Sequence, residues 1–377
     1  MYVARLTLRN FRNYRDLSLE LSPGVNAFVG ANGQGKTNLL EALHLLATGR
    51  SQRGARDPEL ILAGEDEMRV WARVERAQGP VEIDLQVGTV LGRRLQLNGL
   101  PQRRMADLVG RLAVVFFGPD DLQVLKGPPA GRRRFLDILL SQVSPAYLHH
   151  LQRYSRALAQ RNRLLRQIQG GHAARDELEA WDIPLIESGA EITVRRFRAL
   201  ANLAPVAAEQ HRRISGRVED LEVSYAPALP GIESAAQAGP AEVAQLLQQE
   251  LQRRRGEEVA RAVTLVGPHR DDLALRIGGK DARAFASQGQ QRTAVLALKL
   301  AELSYMRAVL DEPPVLLLDD VVSELDPDRR RHLLRAVDSG VQTLLTSTDP
   351  QDLAIRAWEP GHRLFEVRAG QVRERKE

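Results

Sequence analysis

An eight-residue run, Gly30-Ala31-Asn32-Gly33-Gln34-Gly35-Lys36-Thr37, constrains this chain more than any other feature. It fits G-x-x-x-x-G-K-[ST], a phosphate-binding loop. Residues 24–29 before it read as a strand, and the apolar spacing from 36 to 47 reads as a helix. In that context backbone N–H groups face an anion, and the helix N-terminus adds partial positive charge. Gly30, Gly33 and Gly35 let the backbone curl. Lys36 is placed to reach the β- and γ-phosphates, and Thr37 to set its hydroxyl oxygen on Mg2+.

Two further stretches have matching chemistry. Leu316-Leu317-Leu318-Asp319-Asp320 is an apolar strand ending in two carboxylates. Asp319 suits a Mg2+ ligand, direct or through water, and Asp320 suits orienting and deprotonating an attacking water. Ser287-Gln288-Gly289-Gln290-Gln291 opens an amphipathic helix with Leu296, Leu300, Leu303, Met306 and Leu310 on one face. Ser287, Gly289 and Gln290 can present donors to a γ-phosphate. Ser287 and Gln290 also fit a capping box, a purely structural role.

The rest of the chain gives the frame. Its 377 residues suit two or three domains. Strands are expected at 2–8, 69–75, 81–87, 92–97 and 112–117, and a hairpin at 364–374. Between them, Tyr147 to Ile168 shows one apolar helix face. Short helical patterns follow from Leu178 to Leu185 and from about 190 to 213, and 226–240 reads as a loop. Continuous apolar runs at 315–318 and 341–346 suit a covered parallel sheet. The expectation is an α/β domain built from both chain ends around a compact helical insert: 1–125, 126–257 and 258–377.

Composition excludes several classes. There is no cysteine, so no disulfide scaffold, thiolate zinc site or cysteine nucleophile. No segment approaches about 20 apolar residues, so no transmembrane helix is expected, and the chain is expected in the cytoplasm. Of 53 basic residues only five are Lys: Lys36, Lys126, Lys280, Lys299 and Lys376. The excess of Arg suits phosphate contacts, but also a compositional habit. With net charge +5, nucleic-acid binding requires a local patch.

The phosphate loop, SQGQQ at 287–291, and LLLDD followed by SELD at 323–326 resemble the ABC-type ATPase heads of the SMC and DNA-repair branch. Pro119-Asp120-Asp121-Leu122 running to Arg134-Phe135-Leu136-Asp137, with Gly267-Pro268-His269-Arg270-Asp271-Asp272, is similar to the signatures of the RecF family of recombination mediators. The resemblance implies ATP and Mg2+ as cofactors. It makes 30–37 a Walker A motif, Asp319-Asp320 a Walker B motif, 287–291 a signature motif acting across a homodimer, and 323–326 a D-loop. It places Arg12 near the adenine side or α-phosphate. It implies slow ATP hydrolysis as a dimerisation switch on duplex DNA near single-strand gaps, with RecO and RecR as partners in loading RecA.

The chain departs from related ATPase heads at three points, two relative to ABC transporters and the third relative to SMC heads. Asp320 stands where ABC transporters carry Glu, Thr346-Ser347-Thr348-Asp349 where a switch His is usual, and Phe117 where related SMC heads place Gln. An ABC transporter subunit and a monomeric P-loop kinase are the alternatives. The first predicts a switch His, the second no use for Ser287. For DNA, eight arginines lie between Gly127 and Gly170 (132, 133, 134, 153, 156, 161, 163 and 166) with one acid, Asp137. They read either as a phosphate-tracking patch or as a solvated or packed face. Arg50, Arg53, Arg56, Arg103 and Arg104 can extend the patch. No aromatic interleaving is visible, which favours duplex backbone over a single-strand channel.

Overall fold

The computed structural model describes residues 1–90, 92–216, 219–326, 329–333, 340–349 and 361–375. In chain order it begins β1 (Tyr2–Phe11), β2 (Tyr14–Glu20), β3 (Val25–Val29), α1 (Lys36–Thr48), α2 (Asp57–Leu60), β4 (Glu67–Glu75), β5 (Val81–Gly88), β6 (Gly92–Leu97), β7 (Leu100–Gln102) and β8 (Val114–Phe117). It continues with α3 (Leu122–Lys126), α4 (Pro129–Val143), α5 (Pro145–Gln169), α6 (Glu179–Ile214), β9 (Leu221–Ala226), α7 (Ile232–Ala238), α8 (Pro240–Arg261), β10 (Asp272–Ile277), β11 (Lys280–Asp281) and α9 (Ala282–Phe285). It closes with α10 (Gln288–Leu310), β12 (Val315–Asp319), α11 (Val321–Glu324), β13 (Thr343–Ser347), β14 (Arg363–Arg368) and β15 (Gln371–Glu374).

The chain forms two compact units, 1–121 with 295–377, and 122–294. The divisions expected from sequence fell at 125/126 and 257/258. The second differs for a pairing reason. Asp272–Ile277 pair antiparallel with Leu221–Ala226, which draws the segment after 257 into the second unit.

The first unit combines two sheets among the described residues. One is antiparallel, ordered β2-β1-β4-β5-β6-β7. Its strands alternate: Met68, Val70, Ala72 and Val74 are buried while Arg69 and Arg73 are exposed, as a sheet covered on one face requires. The other, ordered β15-β14-β3-β13-β12-β8, is parallel except for β15. Every residue of β3, β12 and β13 is buried. Helix α1 packs on β8, β12 and β13. A buried amide joins residues from the two chain ends: Gln342 accepts from Val3 N–H at 2.7 Å and donates to the Val3 and Ser22 carbonyls at 2.8 and 2.7 Å.

The second unit holds α3 to α9, the start of α10 and the sheet β11-β10-β9. Two expectations change here. The patterns at 178–185 and 190–213 are one continuous helix, α6, of 36 residues that passes through Pro184 and Pro205. Each proline lacks an N–H for the helix ladder, but burial against α5, α8 and β9 holds the helix together. The expected loop 226–240 contains α7, whose Ile232, Ala235 and Ala236 are buried, with α8 as its main neighbour.

The stretch Gly267–Asp272 is an internal clasp of this unit. Gly267 has φ +125°, and a Cβ there would come 2.4 Å from the Tyr154 hydroxyl. Pro268 carbonyl accepts from Arg196 at 2.9 Å. Asp271 accepts from the Tyr225 hydroxyl at 2.5 Å and from Ala228 N–H at 2.9 Å. His269 donates from Nε2 to the Thr264 carbonyl at 3.1 Å, which leaves Nδ1 to accept from the Tyr154 hydroxyl at 2.5 Å. Burial lowers the His269 pKa from 6.5 to about 4, although the Thr264 contact opposes the shift.

That neutral imidazole makes stability pH-dependent. Below pH about 6.5 the unfolded chain protonates His269 while the folded chain does not, until about pH 4. The group therefore withdraws on the order of 3 kcal/mol as pH falls from 7 to 4. Urea unfolding of wild type and His269→Gln at pH 7, 5.5 and 4.5 should show a shallower loss in the variant. Parallel curves would contradict the assignment.

Candidate nucleotide site

Three strands of the parallel sheet bring the site together at their C-terminal ends. Asp319 on β12 is in register with Thr346 on β13, and Ser347 on β13 with Val29 on β3. The phosphate loop leaves β3 directly, and α1 starts at Lys36 with Gly35 before it at φ 111°. Ligand sites in open parallel sheets lie at such strand ends.

The loop is held from two sides. Asn13, in the turn between β1 and β2, donates from its amide to the Gln34 carbonyl at 3.0 Å and accepts from the Asn38 amide at 2.8 Å. The Tyr14 hydroxyl donates to the Gly35 carbonyl at 3.0 Å. From the other side, Ala369 N–H donates to Gln34 Oε1 at 2.7 Å and Gly370 N–H to the Gln34 carbonyl at 3.1 Å. The packing is tight enough to demand glycine: a Cβ on Gly30 would sit 2.3 Å from the Val367 carbonyl, and one on Gly35 2.5 Å from the Asn13 amide. Asn13, Tyr14 and Ala369 were not among the residues expected from sequence. The resemblance singles out only Asn10 to Arg12 in the RNFRNY stretch, and the spacing at 364–374 predicts only a hairpin.

Lys36, Thr37, Asp319 and Asp320 cluster as expected. Lys36 Nζ donates to the Gly30 and Ala31 carbonyls at 2.6 and 3.0 Å. Burial lowers its pKa, partly opposed by Asp320 and Asp319. Thr37 Oγ1 donates to Asp319 Oδ1 at 2.7 Å. Thr346 Oγ1 donates to the same oxygen at 2.9 Å and accepts from Asp320 N–H at 2.9 Å. Thr346 thus ties both Walker B carboxylate residues to β13. Burial raises the Asp319 pKa, against the two hydroxyl hydrogen bonds. Asp320 sits at φ 55°, at the start of α11. The hydroxyl of Thr37 and the carboxylate of Asp319 are hard oxygen donors side by side, the set that suits Mg2+ bound jointly with phosphate oxygens.

The remaining loop residues are presented outward. Ala31, Asn32 and Gly33 are exposed, while Gln34 is half-buried by its bonds to the flanking turns.

Arg12 is engaged by neighbouring elements. Its guanidinium clamps the buried Glu41 of α1 through two bonds of 2.9 and 2.7 Å, and donates to the Glu59 carbonyl at 2.7 Å. In this structure Arg12 braces the β1–β2 turn, α1 and α2 through these bonds, none of which is with the phosphate loop. Arg53 is exposed and donates to Asn38 at 3.4 Å, and its charge reaches Asp319. Arg56 is exposed, its N–H donating to Glu59 at 3.2 Å.

The signature stretch lies in the second unit. Ser287 is exposed, and the capping box is formed. Ser287 N–H donates to Gln290 Oε1 at 2.6 Å, and Gln290 N–H to Ser287 Oγ at 3.3 Å. Gln290 also donates to Glu219 at 2.6 Å, and the Gly289 carbonyl accepts from Thr293 at 3.0 Å.

Phe117 is buried, so no polar side chain leads into the turn after β8. Instead Gly118 N–H donates to Asp121 at 2.7 Å, and Asp121 ion-pairs Lys299 at 3.0 Å. Lys299 also meets Glu302 at 3.1 Å. Burial disfavours its charge, but Asp121 and Glu302 hold its pKa above the ordinary lysine value. Removing one partner of such a buried set is costly because the others remain charged and dry. Lys299→Met should therefore lose about 3–5 kcal/mol in urea unfolding. Adding Asp121→Asn and Glu302→Gln should recover part of it. A loss below about 1 kcal/mol for Lys299→Met would contradict the assignment.

The arginine run divides. Arg132 is buried, doubly bonded to Asp272 at 2.7 Å and donating to the Gly127 carbonyl at 3.0 Å. Arg133 donates to the Asp271 carbonyl at 2.6 Å. Arg161 is fully buried between Asp182, Glu258 and Thr264. The expectation that Arg132 faces DNA is corrected, because its guanidinium is drawn into the fold by Asp272 and the Gly127 carbonyl, whereas Arg133 is half-buried. Arg134 is exposed, and Arg153 is exposed and paired with Glu187 at 2.6 Å. Arg156, Arg163 and Arg166 are exposed on α5 and have no carboxylate partner among the described residues.

These features agree with known proteins. Residues 2–357 match the RecF/RecN/SMC N terminal domain family. The DNA replication and repair protein RecF of Symbiobacterium thermophilum is 53% identical over 374 residues, 99% of this chain and 98% of that one. That of Heliobacterium modesticaldum is 44% identical over 377 residues, 99% of each. A solved structure of the recombination mediator protein RecF-ATPrS in the RecFOR pathway superposes with TM-score 0.91 at 34% identity, covering 100% of this chain and 98% of that one. An Smc head domain from Pyrococcus furiosus, at 17% identity and TM-score 0.57 over 99% of this chain and 96% of that one, shares the fold. The fold is that of an ABC-type, SMC-like ATPase head, and the chain belongs to the RecF family of DNA replication and repair proteins.

Proposed function

We propose that this chain is an ATP-switched DNA-binding subunit of recombinational repair. ATP held at Lys36 of one protomer and Ser287 of a second closes a head-to-head homodimer on DNA, and slow hydrolysis reopens it. The observation that carries this reading is that one chain holds both the Thr37–Asp319–Thr346 cluster beside the phosphate loop and an exposed, capped Ser287 at the start of α10. Relatives described as recombination mediators in the RecFOR pathway support a role beside RecO and RecR in loading RecA. Among the described residues no helix is long and apolar enough to cross a membrane, and the similarity to RecF proteins over the full chain favours the repair reading over a transporter subunit.

The residues divide the work. Lys36, bonded to the Gly30 and Ala31 carbonyls at the start of α1, presents its charge to the phosphate oxygens. Thr37 and Asp319 would hold Mg2+, which would neutralise phosphate charge. Asp320 orients the attacking water and takes its proton, held in place by its N–H bond to Thr346. Its side chain is one methylene shorter than Glu, which suits slow turnover.

Lys36→Met should lower ATPase activity by about 100-fold or more and abolish nucleotide-driven association in sedimentation. Dimerisation with ATP that survives in this variant would sink the reading. Asp320→Asn keeps a residue type tolerant of its backbone angle and should accumulate an ATP-bound dimer. Monomers alone would count against Asp320 as the base. Replacing Arg156, Arg163 and Arg166 with Gln should reduce the slope of log affinity against log salt by about 2–3. An unchanged slope would place the DNA contact elsewhere.

A further inference from the structure

We propose that a pocket between α5 and the start of α6 takes one unpaired nucleobase of single-stranded DNA, with Trp181 as its stacking wall. The inference rests on the DNA reading above and adds what that reading lacks, a means of telling a gap from continuous duplex. The pocket has a volume of about 420 Å3 and belongs entirely to the second unit. That is within the range of pockets that hold small aromatic ligands, about 300–1,000 Å3.

Its walls divide by chemistry. Trp181 is only partly buried. It packs on the cluster of Leu164, Leu165, Leu178 and Val259, which anchors the indole. Across from it, α5 supplies Gln160, Arg163 and Gln167, and the floor is completed by Ala180 and by Glu177, whose carboxylate accepts from Ala174 N–H at 2.8 Å. With Arg156 the three α5 side chains form a single stripe at i, i+4, i+7 and i+11, all exposed. The stripe alternates guanidinium and amide. Arg156 and Arg163 are seven residues apart, about 10 Å along the helix, and carry no carboxylate partner among the described residues.

Each part fits one part of a nucleotide. The indole face suits a base stacked flat, a contact that tolerates any sequence. The Gln160 and Gln167 amides each offer a donor and an acceptor to a base edge. The arginines suit the phosphates on either side of the extruded base. A duplex base stays in its own stack, so only an unpaired base enters. The blunt-duplex contact uses the arginines alone.

The test is equilibrium binding of the full chain, with ATP and Mg2+, to a blunt duplex and to the same duplex carrying a single-strand gap. Wild type should prefer the gapped DNA. Trp181→Leu, which keeps an apolar group against Leu178, should lose about tenfold in affinity for gapped DNA and leave blunt-duplex affinity unchanged. Trp181→Phe retains a stacking ring and should keep most of the preference. Wild-type gapped affinity in Trp181→Leu, or an equal loss in Trp181→Phe, would overturn the pocket while leaving the DNA reading intact. No binding of either DNA by wild type would overturn both.

Discussion

Asp319 is the point on which the nucleotide site depends. Its carboxylate lies at the end of a fully buried strand, where burial disfavours its charge, and two hydroxyls from different segments donate to the same oxygen. Thr37 brings the phosphate loop to it, and Thr346 brings the intervening strand. The second bond extends to Asp320, whose N–H donates back to Thr346. Strand order, loop position and the placing of the proposed base thus converge on one buried acceptor. An unpaired buried carboxylate would be costly, so the arrangement is stable only with the three segments in register.

The phosphate loop shows the same logic in its backbone. Gln34 is bonded by Asn13 from one side and by Ala369 and Gly370 from the other. Val367 and Asn13 leave no room for a Cβ at Gly30 or Gly35. The loop's shape is therefore fixed by contacts within the protein, and Lys36 donates to its Gly30 and Ala31 carbonyls. Preorganisation of this kind reduces the ordering that binding must otherwise supply.

What the sequence made legible was local. The glycine pattern, the carboxylates ending an apolar run and the S-x-x-Q cap each sit within a few residues, and each appears in the structure as read. What it hid was set by pairing between distant segments. Thr346 meets Asp319 through the register of β12 with β13, 27 residues apart. Asn13 and Gly370 meet at Gln34 from almost opposite ends of the chain. The arginine run misled because density of charge says nothing about acceptors nearby. Arg132 and Arg161 found Asp272, Asp182 and Glu258 more than 20 residues away in sequence. The pocket shared by Trp181 and Arg163 is hidden in the same way, because 18 residues separate them.

The central claim is that ATP joins Lys36 of one chain to Ser287 of another. The absence of cysteine allows a clean measurement. Asn32→Cys and Ser287→Cys, both at exposed positions, are made in separate preparations, mixed, and treated with a short bismaleimide with and without ATP and Mg2+. The account predicts a crosslinked species of twice the chain mass that forms only in the mixture and only with ATP. A mixture that binds ATP yet yields no such species would contradict it.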